Sequence, residues 1–423
     1  MIRRYVFIVL CGVMGIVTAF GQRPFHKDFT VNIENYAVNQ YMESVDYQPH
    51  DCSVIGDYRI ESGYRFDYPA PVLFRLPQTV GIDSLLIVCC DHYTLKDSLI
   101  FHVSTKENVV ELYNFIPQRT YHYIVFSGDK ALDFGFINTQ GNVRMLKIPG
   151  TVNNIRDMGG WRTADGKRVK YGMMFRGSEL NGTFVATDEG IELLKSLGIE
   201  AELDLRAWYN REHGVSAFGF LDSSHTTYGN TPSFYYSNDS GQLSIHLDSA
   251  IFKNKWRYEF QFIVRNLRAG RAIYQHCVQG KDRTGYLSFL LEGLLGVEYS
   301  DLVKDYELTY FYVNAPSAKD SIDKVYDFIE TMEGETLRDK FNSYFVHKLY
   351  VSQSDIDYFR EVMLESIDNK DIATWIDDTA DNQYDSHNNT YYDLTGRKAN
   401  TVRKGSIYLM KDHRGVMRKY ICK

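Results

Sequence analysis

Two patterns of apolar positions divide this chain. Beyond about Thr151, apolar residues recur at three- and four-residue spacing in some stretches and gather in short unbroken runs between them. The spaced pattern predicts helices over 188–197, 247–267, 283–295, 300–312, 321–332, 335–345 and 354–364. The runs 199–205 and 271–276 predict buried strands. Strand and helix in repetition describe an α/β domain over 149–366, its central sheet mostly parallel and flanked by helices.

Before Ile148 the pattern changes. Short strand-like pieces at 72–76, 84–90, 98–104, 120–126 and 134–138 are separated by polar turns with no helix between them. That spacing predicts a small β-sandwich over 68–148. Within it, Phe115-Ile116-Pro117-Gln118-Arg119-Thr120-Tyr121 resembles the corner of fibronectin type III domains, a Pro opening the turn and a Tyr closing it. Any antiparallel β-domain is the plainer reading. Residues 22–67 are aromatic and mixed and receive no assignment. The acidic, polar stretch 367–390 reads as a linker, and 391–423 returns to short β-like pieces around Gly396 and Gly405.

The first 21 residues read as a signal peptide. Arg3 and Arg4 precede an apolar run from Tyr5 to Thr18, and Ala19-Phe20-Gly21 forms a cleavage site before Gln22. The run is short for a bilayer span and no basic stop-transfer cluster follows, so the mature chain is expected to carry no transmembrane segment. Export to the periplasm, cell surface or medium is the expected destination. Losing Arg3 and Arg4 takes the formal net charge from −7 to −9. A chain this acidic has no global field to attract nucleic acid or anionic membrane, so a phosphate site must be built locally. Cys52, Cys89, Cys90, Cys277 and Cys422 remain after cleavage, and their odd number leaves one thiol unpaired or paired between chains. Cys277 is the candidate free thiol.

The chemistry gathers in Tyr274-Gln275-His276-Cys277-Val278-Gln279-Gly280-Lys281-Asp282-Arg283-Thr284-Gly285, which joins the strand ending at His276 to the helix beginning near Arg283. Ligands of open parallel sheets sit beyond the carboxyl ends of the strands, where this loop falls. The loop through Val278, Gln279, Gly280 and Lys281 is long enough to curl with its N–H groups inward around an oxyanion. The helix behind adds the positive end of its dipole. With Arg283, these donors favour thiolate over thiol at Cys277. They would also hold a phosphoryl group in line with the sulfur, Arg283 binding two oxygens at once. Attack gives a phospho-cysteine that water hydrolyses. Preorganised donors carry the charge, and neither metal nor cofactor is called for. Gly280 and Gly285 permit the curl, and the Thr284 hydroxyl lies within reach of the sulfur. The bland alternative is a structural cysteine near a surface arginine.

The run from His276 to Gly285 resembles the H-C-x-x-G-K-D-R-T-G loop of bacterial and fungal tyrosine phosphatases. Three further stretches agree: Asn154-Ile155-Arg156-Asp157-Met158-Gly159-Gly160-Trp161 with Phe175-Arg176-Gly177-Ser178, then Asp204-Leu205-Arg206, then Asp305-Tyr306-Glu307-Leu308-Thr309. Gly177 interrupts the R-S pair of that family. The resemblance spans about 150–365 and implies the cysteine-phosphatase α/β fold, with activity on phosphotyrosine and often relaxed specificity.

The leaving group needs a proton, so a carboxylic acid must stand near the ester oxygen. Asp282 lies in the loop, Asp204 ends a neighbouring strand, and Asp239 and Asp248 lie upstream where many cysteine phosphatases carry a mobile acid. The resemblance favours Asp204 and Asp282. Asp204 is expected as the acid, with Asp282 assisting or acting on the water; a salt bridge from Asp204 to Arg206 or Arg156 is the competing reading. Arg156 is a candidate for substrate binding and equally for buttressing the loop. Lys281 adds a second positive charge. In phosphoinositide phosphatases a basic residue at this point contacts additional phosphates, which makes a phosphoinositide or inositol-polyphosphate phosphatase the rival enzyme; a solvated lysine is the bland reading. An idle phospho-binding or adhesion protein is the rival of another class. The partners expected are thus a phosphorylated protein or an inositol phosphate, with oligomeric state open. Tyr391–Lys398 and Lys404–Tyr408 are similar to C-terminal segments of exported Bacteroidetes proteins, some of which act in sorting; an ordinary β-extension packed on the β-domain is the competing reading.

Overall fold

The computed structural model describes residues 28–43, 67–77, 81–91, 98–206, 215–219, 227–230, 248, 250–312, 320–367, 390–392, 407–411 and 417–421. The expected signal peptide, Cys52, Asp239, Cys422, Gly396, Gly405 and most of the expected linker lie outside them. The chain divides into two units, Met1–Glu365 and Ser366–Lys423.

The first unit opens with strand β1 (Phe29–Asn32) and helix α1 (Tyr36–Glu43), neither anticipated from the sequence. Asn35 starts the helix, its side-chain oxygen accepting from Val38 N–H at 3.0 Å. Strands β2 (Val72–Arg75), β3 (Ser84–Asp91), β4 (Leu99–Ser104), β5 (Val109–Leu112), β6 (Thr120–Ser127) and β7 (Lys130–Gln140) follow. They form one sheet in the order β1-β7-β6-β3-β4 and a two-stranded ribbon, β2-β5. Neighbours in both are antiparallel except β1 and β7. Val72, Phe74 and Leu112 of the ribbon share a core with Ile87, Cys89, Tyr121, Tyr123 and Val125 of the sheet. Alternation of apolar and polar positions sets which side chains enter it. At the Phe115–Tyr121 corner, the Tyr121 hydroxyl accepts from Ile116 N–H at 2.9 Å.

The remaining strands are β8 (Arg156–Asp157), β9 (Lys167–Val169), β10 (Met174–Gly177), β11 (Ile199–Asp204), β12 (Thr227–Asn230), β13 (Ala272–His276) and the short β14 (Leu364–Ser366). The central sheet runs β12-β11-β13-β10-β8. Its first four strands are mutually parallel, and β8 is antiparallel to β10. Register aligns Gly177, Asp204 and His276, with Asn230 beside Asp204, so the carboxyl ends of all four parallel strands finish in line.

Helices pack around that sheet. In α2 (Asp188–Ser196), Thr187 caps the first turn, accepting from Gly190 N–H at 3.2 Å, and Asp188 and Glu189 face the helix dipole. The long α3 (Ala250–Arg268) precedes β13. Next, α4 (Asp282–Leu295) carries Leu287, Phe289, Leu290, Leu291 and Leu294, buried on all sides as a central helix requires. Gly296, in the left-handed region at φ 96°, ends it. The predicted helix over 300–312 is instead α5 (Tyr299–Glu307) followed by a 3₁₀ turn, Leu308–Phe311. Three more follow: α6 (Asp320–Glu330), α7 (Leu337–Ser343) and α8 (Gln353–Met363). The stretch predicted as one helix over 335–345 starts later, because Thr336 and Asp339 form a reciprocal cap, and it passes into a π turn at Tyr344–Lys348. Ala37, Val38 and Tyr41 of α1 join the same core as Leu203, Phe260, Ile273, Leu290 and Phe341.

The second unit contributes a three-stranded antiparallel sheet of β15 (Thr390–Tyr392), β16 (Ile407–Lys411) and β17 (Met417–Ile421). Among the described residues no helix is long and apolar enough to cross a membrane.

Candidate active site

The loop from Cys277 to Arg283 leaves β13 and enters α4 at the aligned ends of β10 and β11. Neighbours on both sides hold its carbonyls. Glu179 N–H donates to Val278 O at 3.0 Å. The Asn154 amide donates to Gln279 O at 3.1 Å and Gly280 O at 3.2 Å, and Arg176 donates to Gly280 O at 3.0 Å. With its carbonyls turned outward, the loop is left to present N–H groups to the other side.

Gly280 makes this geometry available. Its φ is +67°, and a Cβ there would lie 2.3 Å from Gly177 O. Gly177, which interrupts the R-S pair in the sequence, also has a steric reason: a Cβ would meet the Tyr274 hydroxyl at 2.4 Å. That hydroxyl donates to Ser178 O at 2.6 Å.

Cys277 and Arg283 are both buried at the mouth of α4, and the Arg283 guanidinium donates to Leu205 O at 3.2 Å. Burial pushes the Cys277 thiol up. The positive charge of Arg283, the Thr284 hydroxyl and the Thr284 N–H outweigh it, and the thiol sits below its ordinary value. The buried Thr284 hydroxyl has no conventional hydrogen-bond partner among the described residues; its stabilising interaction is with the sulfur.

His276 is buried with Nδ1 3.0 Å from Cys277 O and Nε2 2.9 Å from Glu202 Oε1. A carbonyl and a carboxylate both accept, which assigns a proton to each ring nitrogen. Burial alone would lower this imidazole, yet Asp204 and Glu202 raise it above the usual histidine value. The resulting cation ties the backbone at the nucleophile to β11.

Behind the loop stands a buried ionic cluster. Asp305 accepts from Arg156 Nε at 3.0 Å and from Arg176 Nη1, while Arg156 Nη1 donates to Asn154 Oδ1 at 2.5 Å. Arg156 also donates to Asp305 O at 2.7 Å. Its guanidinium thus faces the buttress, not an open pocket. Arg144 donates to Asp157 Oδ2 at 3.1 Å and to Asn114 O at 2.9 Å, linking the buttress to the N-terminal β-region.

The two acid candidates separate sharply. Arg206 grips Asp204 through Nε at 3.0 Å and Nη2 at 2.8 Å, and Arg206 N–H adds a bond at 2.8 Å. Burial would raise Asp204, but His276 and Arg206 together hold it below the usual carboxylate range. A carboxylate kept ionised in this way is a poor proton donor, so the expectation of Asp204 as the acid gives way to the competing salt bridge. Asp282 behaves oppositely: burial dominates and holds it above the usual range, despite Lys281, Tyr306 and Arg283. The Tyr306 hydroxyl reaches its Oδ1 at 3.4 Å. Asp248 is exposed between Lys253 at 3.2 Å and Lys348 at 3.4 Å. Lys281 is buried, with Nζ 5.4 Å from the Tyr310 ring centroid, and is not a solvated lysine.

Sequence reasoning passed over Glu202, Glu179 and Asp67. Glu202 did not stand out in the sequence, because its strand, Ile199–Asp204, alternates three apolar residues with the acidic Glu200, Glu202 and Asp204. Cys89, Cys90 and Cys277 are in no disulfide. Among the described residues no group of three or more His, Cys, Asp or Glu side chains is placed to hold a metal ion.

Residues 146–365 match the family model of the tyrosine phosphatase family. A Cupriavidus necator protein provisionally named a tyrosine-protein phosphatase is 29% identical over 169 residues, which covers 37% of this chain and 60% of that protein. The chain therefore spans less than two thirds of that relative's length. Among solved structures, P. aeruginosa TpbA is similar at 12% identity and a TM-score of 0.23, covering 48% of this chain and 96% of that one. A TpbA variant in complex with pTyr is similar at 10% identity and the same TM-score, covering 48% and 95%. Likeness at that score carries no argument about this chain.

Proposed function

This chain belongs to the tyrosine phosphatase family, and from that premise we propose that it hydrolyses phosphotyrosine through a phospho-cysteine formed on Cys277. The observation that carries the reading is a buried thiol held below its ordinary value beside Arg283, at the carboxyl ends of parallel strands. The Cys277 thiolate attacks phosphorus, and Arg283 with the N–H groups of Val278, Gln279, Gly280 and Lys281 holds the equatorial oxygens. Asp282 donates a proton to the leaving phenolate and then takes one from the attacking water. Thr284 stabilises the sulfur as it departs. Arg156 and Asp204 serve the loop and β11 through their ion pairs.

Export follows from the N-terminal sequence, with the fibronectin type III-like β-region as a spacer or docking module beside the catalytic part. Intact-mass measurement of protein recovered outside the cytoplasm tests this: a chain starting at Gln22 supports it, and a retained Met1 contradicts it.

The activity test compares a phosphotyrosine peptide with soluble inositol phosphates, using the full chain and Cys277→Ser. Faster turnover of the peptide, abolished in the variant, is expected. Inositol phosphates preferred by orders of magnitude would replace the substrate class, and equal activity of the two forms would remove the nucleophile.

A further inference from the structure

Asn154 is the hinge of the loop's support. It is buried and takes a left-handed backbone, φ +56°, a conformation that costs an L-residue other than glycine and that asparagine tolerates best. From there its side chain reaches Gln279 O, Gly280 O and Thr309 Oγ1, and receives Arg156 Nη1. Whatever fixes the backbone of Asn154 therefore fixes where these donors meet the loop.

The group that does so comes from outside the family-matched region. Asp67 Oδ2 accepts from Asn154 N–H at 2.9 Å, across 87 residues of sequence, and Asp67 is 2% exposed. The chain around Asp67 is itself fastened. Asn35, which caps α1, donates from its amide nitrogen to Tyr68 O at 2.8 Å, and Ala70 N–H donates to Ile33 O at 2.9 Å. Helix α1 is seated in the catalytic core by Ala37, Val38 and Tyr41, and the Tyr41 hydroxyl donates to Glu307 Oε2 at 2.5 Å, two residues from Asp305. The N-terminal segment thus touches the loop's support at two points, Asn154 and Glu307.

We infer that Asp67 is a positioning residue for the phosphate-binding loop, acting through its charge-assisted bond to the Asn154 backbone, so that the N-terminal segment completes the active site. An ionised acceptor bonds an N–H about twice as strongly as a neutral one, and burial sharpens the difference. Small displacements of a preorganised site cost rate steeply, on the order of a hundredfold for about 1 Å. The inference rests on the proposed activity only for its kinetic arm.

Two readings on the full-length chain test it: kcat on p-nitrophenyl phosphate, and the pH midpoint of Cys277 alkylation by iodoacetamide, followed on the Cys277 peptide by mass spectrometry. The second needs no turnover, so a chain inactive on every phosphate ester would sink the proposed function and still leave the inference testable. Asp67→Ala is expected to lower kcat by about tenfold or more with KM little changed, and to move the Cys277 midpoint upward as the loop donors loosen. Asp67→Asn, which keeps an oxygen acceptor but loses the charge, is expected to move both in the same directions by a smaller amount. The sign is diagnostic: deleting a negative charge without loop movement would move the midpoint down. A structural role alone would lower Tm and the active fraction while leaving the midpoint of the folded protein in place. An unmoved or lowered midpoint in Asp67→Ala overturns the inference. If that variant does not fold, the same signs are read on Asp67→Asn, where a raised midpoint with reduced kcat supports it and an unmoved or lowered midpoint overturns it.

Discussion

Cys89 on β3 and Cys277 just past the end of β13 are both buried thiols of the same unit, and their surroundings drive them in opposite directions. At Cys89, burial dominates and neighbouring Cys90 adds to it, so the thiol is pushed far above its ordinary value. Cys90 is raised for the same first reason, with the Ser98 hydroxyl only partly offsetting it. Burial acts on Cys277 in the same sense, yet Arg283 and Thr284 reverse the outcome. Depth alone raises a core thiol; depth beside a guanidinium and the Thr284 hydroxyl and N–H lowers it, as the proposed nucleophile requires. The same lesson holds for the carboxylates, since His276 and Arg206 hold Asp204 below the usual carboxylate range while burial holds Asp282 above it.

The largest expected effects break the thiol contrast outright. Cys277→Ser should reduce turnover of p-nitrophenyl phosphate by at least about 10³-fold, as loss of a nucleophile does, while Cys89→Ser leaves kcat within about twofold. Arg283→Lys should cost about 10²-fold or more, because a point charge cannot hold two oxygens in a fork; steady-state kinetics read both.

Next, Asp282→Asn and Asp204→Asn should fail in different ways. The first should lower kcat by about 10²-fold and flatten the alkaline limb of the pH profile, since activity needs Asp282 protonated and its raised value extends that state upward. The second should lose about 3 kcal/mol of stability by leaving Arg206 buried and under-paired, with the alkaline limb intact. Asp204 has a depressed folded-state value, so its contribution is present above about pH 3.9 and fades as pH falls through the folded value. The Tm gap between wild type and Asp204→Asn should therefore close on acidification.

Gly280→Ala should cost about tenfold or more in kcat, because the new methyl meets Gly177 O at 2.3 Å in a left-handed backbone. The smallest effect concerns His276. Its folded-state value is raised, so the stability it contributes is complete below about pH 6.5 and is lost as pH rises through the folded value. The Tm advantage of wild type over Glu202→Gln should shrink from pH 6 toward alkaline pH, read by thermal melts at matched ionic strength.

The loop and its flanking strand and helix were legible because they are local. Apolar runs and helical spacing placed α2, α4, α8, β11 and β13 within a residue or two, and the His276–Gly285 run marked the loop between β13 and α4. What supports the loop was partly or wholly hidden, since its partners lie far apart in sequence: Arg156 and Asp305 by 149 residues, Asp67 and Asn154 by 87. No periodicity reports such pairs. The Asp204–Arg206 bridge was readable as one of two outcomes, and only the bidentate geometry and the enclosure decide between them. α1 escaped notice because it is only eight residues long and its apolar face is short, Ala37, Val38 and Tyr41.

The most direct test of the central idea is the rate of iodoacetamide alkylation at Cys277, Cys89 and Cys90 measured across pH, with and without inorganic phosphate. Cys277 should react below the ordinary thiol range and be protected by phosphate, while Cys89 and Cys90 stay unmodified in the folded chain. Equal reactivity of the three thiols, or a Cys277 rate indifferent to phosphate, would contradict it.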